Sequence, residues 1–302
     1  MAKKITSPTQ PAGRPPVAVE IAPEGVLAAA LPASGKEPAY AFVPLVPGSL
    51  IPELEATNFR SPEAVASAIR RALDEVSPRT RAVTLILPDT LVRVFMLDFD
   101  VLPAKTADAI SVVRFRLRKT VPFDVEHAGV SYQVLSQSES ECKVLVAVVP
   151  GSVLAEYEAA VRAAGYEPGA VLSSSLAALE SIDNMEAVMA ATLSTVAITT
   201  SIANGQDLLL YRTLDLPADP RLRLYEIQRC IAVAAAYFED KLGGRPRQLH
   251  YAGIESAAEL AQGIGDPDLT VVEWVPRPDR GAMTTLPQTN YAGVAGALAG
   301  VR

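Results

Sequence analysis

The chain has few of the residues from which metal centres and covalent cross-links are built. Its 302 residues include two cysteines, Cys142 and Cys230, and two histidines, His127 and His250. The cysteines are far apart and each is followed by apolar residues, which is typical of buried free thiols in a reducing compartment. Neither histidine stands at a metal-ligand spacing from Cys, Asp or Glu. The sequence therefore predicts no disulfide and no metal site.

The sequence also lacks an excess of positive charge and any long apolar run. With 27 Lys and Arg against 34 Asp and Glu, the net charge is −7, which argues against nucleic-acid binding by bulk electrostatics. No stretch approaches the roughly 20 consecutive apolar residues that cross a bilayer. Residues 1–16 are rich in Pro, Ser, Thr and Gln, and they predict a disordered tail without the apolar core of a secretory signal. We expect a cytoplasmic protein with no nucleic-acid partner.

The usual catalytic motifs are missing as well. The sequence contains no Gly-x-x-x-x-Gly-Lys-Ser loop, no Gly-x-Ser-x-Gly elbow and no Cys/His pair. Asp207 and Asp215 flank a predicted strand, but two such carboxylates in an acidic chain are no specific sign of acid–base catalysis. The sequence therefore predicts no catalytic residues.

What is present is a regular alternation of strand and helix patterns. Residues 17–87 read as strands, a helix and a further strand, which predicts an α/β layer with a mixed sheet. Asn204-Gly205 lies between two apolar runs and predicts a hairpin in a second sheet. A long helix follows, and Gly243-Gly244 ends it. Two such blocks separated by another unit suggest a duplicated α/β core.

Residues 85–124 are the most informative stretch of the chain. They read as an apolar strand, a Pro-Asp turn, a second strand and a helix with Ile110, Val113 and Leu117 on one side. The helix ends before Val121-Pro122-Phe123, because a proline disfavours helical backbone in the residue before it. This order of parts resembles the PilM family, the cytoplasmic actin-like proteins of the type IV pilus inner-membrane platform. A related arrangement occurs in the cell-division protein FtsA.

The resemblance implies a particular fold and division of the chain. The implied fold class is α/β, bilobed and actin-like, a duplicated ribonuclease H-like fold with an inserted FtsA-type subdomain. The implied domains are residues 17–97 and 150–185 for the first lobe, 98–149 for the inserted subdomain, 186–290 for the second lobe, and 291–302 for a C-terminal helix that returns to the first lobe.

The nucleotide segments depart from the actin-like pattern. Actin-like ATPases hold nucleotide between two β-hairpins with glycine turns, which let the backbone approach phosphate. In the matching segment here, Glu20 stands in place of an Asp, and Pro23-Glu24 remove a backbone donor and add a negative charge. The second hairpin segment, placed just before Asn204, has neither Gly nor Asp, and the adenosine-side segment keeps one glycine, Gly253.

Glu20, Gly25 and Gly253 are therefore the vestigial nucleotide-binding positions that the resemblance implies. For Glu20 the alternative is a strand-end carboxylate near solvent, and for Gly253 an ordinary turn glycine. The resemblance then implies a degenerate pseudo-ATPase that needs no cofactor. An actin-like ATPase or kinase that binds ATP and Mg²⁺ through unusual phosphate loops is the alternative.

The helix at residues 106–120 has a basic side in an otherwise acidic protein. Its cations are explained by a solvated helix face, since positive charge favours the C-terminal end of a helix dipole, or by a partner near the membrane. The resemblance implies a groove, involving the inserted subdomain, that binds the cytoplasmic N-terminal peptide of a PilN-like inner-membrane protein. The candidate contacts are Arg114, Leu117, Arg118, Val121 and Phe123.

The resemblance also implies the protein's surroundings. It predicts a scaffold held at the inner face of the inner membrane through its partners, so that membrane association is indirect. It further implies a link to the pilus motor ATPases and self-assembly into a homo-oligomer or ring. A type II secretion platform component has the same fold and is the other alternative.

Overall fold

A computed structural model describes residues 13–32, 37–138, 140–182, 186–205, 207–275 and 290–301. The strands, in chain order, are β1 (Val17–Ala22), β2 (Gly25–Ala30), β3 (Ala39–Pro44), β4 (Ala82–Leu87), β5 (Arg93–Phe99), β6 (Gly129–Gln137), β7 (Cys142–Val149), β8 (Glu167–Ser173), β9 (Ala187–Leu193), β10 (Ala197–Asn204), β11 (Asp207–Asp215), β12 (Gln248–Gly253) and β13 (Thr270–Glu273). The helices are α1 (Pro62–Glu75), α2 (Thr106–Leu117), α3 (Gly151–Ala163), α4 (Ser174–Leu179), α5 (Pro220–Leu242), α6 (Ala257–Ile264) and α7 (Ala292–Ala299).

Two five-stranded sheets repeat one topology. The first has the order β3-β2-β1-β4-β8, with β1, β2 and β3 antiparallel and β1, β4 and β8 parallel. The second, β11-β10-β9-β12-β13, has the same order and the same strand directions. The duplicated core that the sequence predicts is therefore present, and each sheet forms the centre of one lobe.

Helices cover the first sheet on both faces. On one face α1 and α3 bury Ile69, Leu73 and Tyr157 against the strands. On the other face α7 and α4 contribute Val294, Leu298 and Ala177 to a second apolar cluster. The helix nearest the C-terminus therefore packs on the first lobe.

The second lobe has a single long helix as its main cover. Ile227, Ile231 and Ala234 of α5 are buried against the second sheet, together with Leu260 of α6. Gly243 ends α5 in a left-handed conformation, with φ of 73°, which glycine adopts without steric cost.

A three-stranded antiparallel sheet, β5-β7-β6, and helix α2 form the inserted subdomain. Successive side chains of a strand point to opposite faces of its sheet. In β7, Val144 and Val146 are buried in a cluster with α2. Leu145 and Ala147, which alternate with them along the strand, are half-buried on the other face. The sheet thus has one face on α2 and one that α2 does not cover.

Several predicted ranges fall partly outside the described residues. These are residues 1–12 of the predicted tail, residues 33–36 and 183–185 of the first lobe, residue 139 of the inserted subdomain, residues 206 and 276–289 of the second lobe, and residue 302 of the C-terminal segment. Residues 13–16 lie on the first lobe, where the Pro16 carbonyl accepts a hydrogen bond from the Leu31 N–H at 2.9 Å. Where the domains begin and end stays a prediction.

Cys142 and Cys230 are buried and free. Across the described ranges, no helix combines the length and the hydrophobicity of a membrane span. In the same residues no group of three or more His, Cys, Asp or Glu side chains could hold a metal ion.

Candidate functional site

Two concave regions formed by the described residues could bind a ligand. The interlobe cleft lies between the β1–β2 turn of the first lobe and the β9–β10 turn of the second, and it encloses only about 50 Å³. The groove lies between the uncovered face of the inserted sheet and the first lobe, and its volume is about 1230 Å³.

A buried carboxylate joins the two lobes beside the cleft. Asp89 follows β4 in a 3₁₀ turn, and its oxygens accept hydrogen bonds from the Ser175 N–H at 3.0 Å and from the Ser175 hydroxyl. From the second lobe, the Thr199 hydroxyl donates at 3.0 Å and the Tyr211 hydroxyl at 3.1 Å. Burial raises the pKa of Asp89, and these hydrogen bonds partly offset that rise. Four donors from two lobes converge on one carboxyl group.

A second carboxylate joins the two hairpin turns directly. Glu24, in the β1–β2 turn, accepts a hydrogen bond from the Thr195 N–H at 3.0 Å and another from the Thr195 hydroxyl. Arg223 holds the same β9–β10 turn from α5 by donating to the Ser194 and Thr195 carbonyls, each at 2.6 Å. An acidic side chain of the protein therefore binds a backbone N–H of the second hairpin turn.

Glu20 is the most deeply buried acid of the cleft. Its side chain is only 8% exposed, so it is not the solvent-exposed carboxylate that was the alternative prediction. The pKa of Glu20 is raised to about 8. Burial is the main cause, the negative charges of Asp89 and Glu24 add to the rise, and the Ser174 hydroxyl opposes it. A Cβ atom at Gly293 of α7 would lie 2.7 Å from Glu20 Oε2. Glycine at this position is what lets α7 approach the acid so closely.

The two glycines predicted as vestigial nucleotide positions have packing roles. A Cβ atom at Gly25 would lie 2.5 Å from the Phe42 ring, and one at Gly253 would lie 2.9 Å from the Leu193 Cβ. Gly25 and Glu20 line the cleft, and Gly253 immediately precedes a lining residue, Ile254. The structure therefore brings Glu20 and Gly25 together and places Gly253 at the margin. Their role towards a nucleotide stays a prediction.

The groove is lined by all three parts of the molecule. Its walls are β6 and β7 of the inserted subdomain, β8 and α4 of the first lobe, and the β10–β11 turn of the second. The apolar side chains that line it include Leu145, Ala147, Leu154, Val171, Leu176 and Leu179. Arg14 and Glu180, which form an ion pair, also line it. The groove thus combines many apolar side chains with one charged pair.

Two sheet edges border the groove. Strand β6 is the last strand of the inserted sheet, and β8 is the last strand of the first sheet. Among the described residues, β6 pairs only with β7 and β8 only with β4. An exposed edge has free N–H and C=O groups with which an extended peptide can pair. Leu135, at an irregularity in the β6 register, also lines the groove.

The five predicted partner-binding residues form one cluster around α2. Leu117 and Val121 are buried in the core of the inserted subdomain, and Phe123 packs against that core. Arg114 donates to the carbonyls of the loop that follows, at 2.9 Å for Ala128 and 3.2 Å for Glu126. Arg118 forms an ion pair with Glu126.

Helix α2 and the main part of the groove lie on opposite sides of the inserted sheet, although Val130, Tyr132 and Val148 of the α2-side cluster also line the groove. Helix α2 packs against Val144 and Val146, and the groove touches Leu145 and Ala147. None of the five predicted residues lines the groove. A partner contact at the cluster stays a prediction.

Sequence reasoning missed Asp89 and the groove residues of β7. Asp89 had a signal, since a Pro-Asp pair directly follows the buried strand β4. The groove had one too, because β7 is apolar at nearly every position. Strands of a mixed or parallel core are apolar on both faces, whereas an antiparallel strand with one wet face alternates. An antiparallel strand that does not alternate indicates a second apolar surface.

The comparisons with known proteins bear on the fold. No protein-family model matches this sequence, and a search of curated proteins finds no match. Among solved structures, a chain of the PilM–PilN type IV pilus biogenesis complex matches with a TM-score of 0.75 at 20% identity, covering 95% of this chain and 98% of that one. The chain has a PilM-like fold.

Two further structures agree. The cytoplasmic domain of EpsL, an inner-membrane component of the Vibrio cholerae type II secretion system, matches with a TM-score of 0.51 at 15% identity and covers 93% of this chain and 92% of that one. A Bacteroides thetaiotaomicron protein with an actin-like ATPase fold and unknown function also gives 0.51, at 14% identity, with 94% of each chain covered. The predicted fold class, a bilobed actin-like α/β fold with an inserted subdomain, is confirmed. At these identities the likeness is one of fold.

Proposed function

We propose that this PilM-like chain is a non-catalytic scaffold of the type IV pilus inner-membrane platform. Its groove would bind the cytoplasmic N-terminal peptide of a PilN-like inner-membrane protein. The observation that carries the proposal is the groove itself, an open apolar channel bordered by the edges of β6 and β8.

The dimensions of the groove favour a peptide over a small molecule. Small-molecule sites usually enclose about 300–1,000 Å³, and this groove, at about 1230 Å³, is larger and more open. An extended peptide could add to either edge strand, so that main-chain hydrogen bonds give affinity and alternate side chains give specificity. Leu145 and Ala147 would meet the apolar side chains of such a peptide.

The cleft supports the pseudo-ATPase part of the proposal. The cleft volume of about 50 Å³ is far below the roughly 300–1,000 Å³ of usual small-molecule sites. The Glu24 carboxylate already binds the Thr195 N–H, and three carboxyl groups, those of Glu20, Glu24 and Asp89, surround the space. A triphosphate would have to displace this contact and lie beside the Glu24 carboxylate. We therefore propose that the chain needs neither ATP nor Mg²⁺.

The fold resemblance supports a proposal for where the protein is located and which larger assembly it joins. The PilM–PilN complex is a type IV pilus biogenesis complex, and the EpsL domain belongs to an inner-membrane component. We propose a cytoplasmic location at the inner face of the inner membrane, reached through the bound peptide. A link to the pilus motor ATPases and a homo-oligomer or ring are part of the same proposal.

Titration calorimetry with a synthetic peptide tests the central claim. The peptide would have the cytoplasmic N-terminal sequence of a PilN-like inner-membrane protein, and we expect micromolar binding that Mg-ATP does not change. Leu145→Asp places a charge on the groove floor and should weaken binding more than about tenfold. Val46→Asp is the matched control, because Val46 is 73% exposed and does not line the groove. No heat from the wild-type protein would contradict the proposal.

A thermal-shift scan separates the scaffold from an ATPase or kinase. A ligand at 100 times its dissociation constant stabilises the native state by about 2.7 kcal/mol. We expect no shift at millimolar Mg-ATP. A clear shift would favour the alternative with unusual phosphate loops.

The EpsL likeness keeps a type II secretion platform as a second candidate. Both candidates use the fold for a platform at the inner membrane, so they differ in the partner and not in the site. The same calorimetry with a peptide from a type II secretion inner-membrane protein would distinguish them.

A further inference from the structure

The outer side of α2 carries an exposed aromatic residue that the inserted subdomain does not use. The inner side of this helix is fully buried through Ala109, Val113 and Leu117. On the outer side Phe115 is 71% exposed and Val112 is 37% exposed, and Val101, shortly before the helix, is 70% exposed. The solvent-exposed face of an amphipathic helix usually carries polar residues at such positions.

Cations surround this ring. Residues three and four apart lie on one side of a helix, so Val112, Phe115 and Arg116 share the outer face of α2, and Lys119 follows in the turn after the helix. The Arg118 guanidinium lies 5.9 Å from the centre of the Phe115 ring. Residues 101–120 contain five Lys and Arg and a single acid, Asp108, although the whole chain has a net charge of −7.

Three of these cations form no ion pair with the described residues. Arg114 and Arg118 are bound to the loop after α2. For Lys105, Arg116 and Lys119, no carboxylate of the described residues lies within ion-pair distance. These three residues, together with Val112 and Phe115, are here called the α2 patch.

We propose that the α2 patch binds the surface of an anionic phospholipid bilayer. Phe115 and Val112 would enter the headgroup region, and Lys105, Arg116 and Lys119 would contact lipid phosphates. A helix with apolar and aromatic residues flanked by Lys and Arg is the kind that lies in a membrane interface. This contact goes beyond the proposed function, in which the protein reaches the membrane only through a partner's peptide.

The shape of the patch favours a lipid surface over an acidic protein. The patch is the convex side of a single helix, and the main part of the groove is on the opposite face of the inserted sheet. A basic residue near an anionic membrane strengthens binding about fivefold. Three of them with one aromatic ring give a weak, salt-sensitive contact, which would add to attachment through the groove, since stable anchoring usually needs two signals.

Vesicle flotation of the full chain tests this inference. The vesicles would be phosphatidylcholine with about 30% phosphatidylglycerol, or phosphatidylcholine alone, in about 100 mM salt. We expect at least tenfold stronger binding to the anionic vesicles, most of it lost at about 500 mM salt. Arg116→Glu with Lys119→Glu should lower the partition coefficient more than tenfold, and Phe115→Ser about fivefold.

Two matched variants control for charge and for the ring. Lys241→Glu with Arg245→Glu makes the same charge change on exposed side chains near the end of α5. Tyr225→Ser removes a ring that is 59% exposed on α5. Each control should bind anionic vesicles within about twofold of the wild type, and all variants should keep the wild-type melting temperature.

The proposal is overturned if the wild type binds neutral and anionic vesicles equally, or if the controls lose as much binding as the patch variants. Failure on vesicles would leave an acidic protein as the occupant of the patch. The test is separate from that of the groove, because vesicles contain no peptide and Leu145→Asp should leave vesicle binding unchanged.

Discussion

The interlobe cleft and the groove differ in whether their polar groups are paired within the protein. In the cleft, donors from the second lobe already meet acceptors from the first, through Asp89 and Glu24. In the groove, apolar side chains and two sheet edges face an open channel. Beside the cleft the carboxylates of Asp89 and Glu24 are paired within the protein, whereas β6 and β8 each have an unpaired edge among the described residues.

The two regions are connected through the lobes. The carboxylates of Asp89 and Glu24 in the first lobe accept hydrogen bonds from donors of the second lobe. The first lobe and the β10–β11 turn of the second lobe also line the groove. Contacts beside the cleft therefore link the same two lobes that form walls of the groove.

Breaking the clamp at Asp89 should have the largest effect. Asp89→Ala removes the acceptor of the Ser175 N–H, and the Thr199 and Tyr211 hydroxyls keep only their contacts with Thr213 and Ser173. We expect the free energy of unfolding to fall by about 3 kcal/mol, because a donor that loses its acceptor away from solvent is left unsatisfied. Urea-induced unfolding followed by circular dichroism measures this loss.

Asp215→Ala is the matched control for that experiment, since Asp215 is an exposed acid at the end of β11. It should change the unfolding free energy by less than about 0.5 kcal/mol. If both substitutions cost the same, Asp89 does not hold the lobes together.

The features that could be predicted from the sequence are those whose residues lie close together along the chain. The Asn204-Gly205 hairpin and helix α5 were predicted because their signals lie within a few residues. The clamp was not, since Asp89 meets Ser175 and Tyr211 across 86 and 122 residues. No local pattern records such a pairing.

The same limit applies to the basic side of α2. The sequence predicts its cations but does not show that Arg114 turns back to the carbonyls of Val125, Glu126 and Ala128. Burial of Glu20 was likewise hidden, because it depends on α7, more than 270 residues further along, with Gly293 against the acid. Residues that pack between distant elements are where the structure adds most.

Glu20 should make the stability of the cleft depend on pH. Its pKa is about 8 in the native state against 4.5 for an ordinary glutamate, so the native state binds the proton more tightly. The contribution of this group to stability is therefore complete below about pH 4.5 and is lost as the pH rises towards about 8. The loss is about 1.4 kcal/mol per pH unit within that window.

Glu20→Gln, which does not titrate, isolates this effect. The difference in unfolding free energy between the variant and the wild type should shift by about 3 kcal/mol in favour of the variant from about pH 5.5 to about pH 7.5. Urea unfolding of both proteins at each pH measures it. A constant difference across that range would mean that Glu20 titrates normally, and that the acid is solvated.

The edges of the groove lead to a smaller effect, on affinity. In an extended peptide, alternate N–H groups point to the same side. If the peptide pairs with β6 or β8, N-methylation of one alternate set should weaken binding about tenfold, and methylation of the other set should have little effect. Calorimetry with the two methylated peptides measures both. Equal losses for both sets would rule out strand addition.

Releasing the turn-to-turn contact should have the smallest effect. Glu24→Ala removes the acceptor for the Thr195 N–H and hydroxyl, and because Glu24 is only half-buried, we expect a loss of about 1 kcal/mol. Hydrogen exchange of the Thr195 amide should become about fivefold faster. Glu24→Gln keeps an oxygen acceptor and should fall between the wild type and the alanine variant. If the Thr195 amide exchanges at the wild-type rate in Glu24→Ala, the Glu24 carboxylate does not stabilise the β9–β10 turn. The contacts of Asp89 would then be what joins the two lobes beside the cleft.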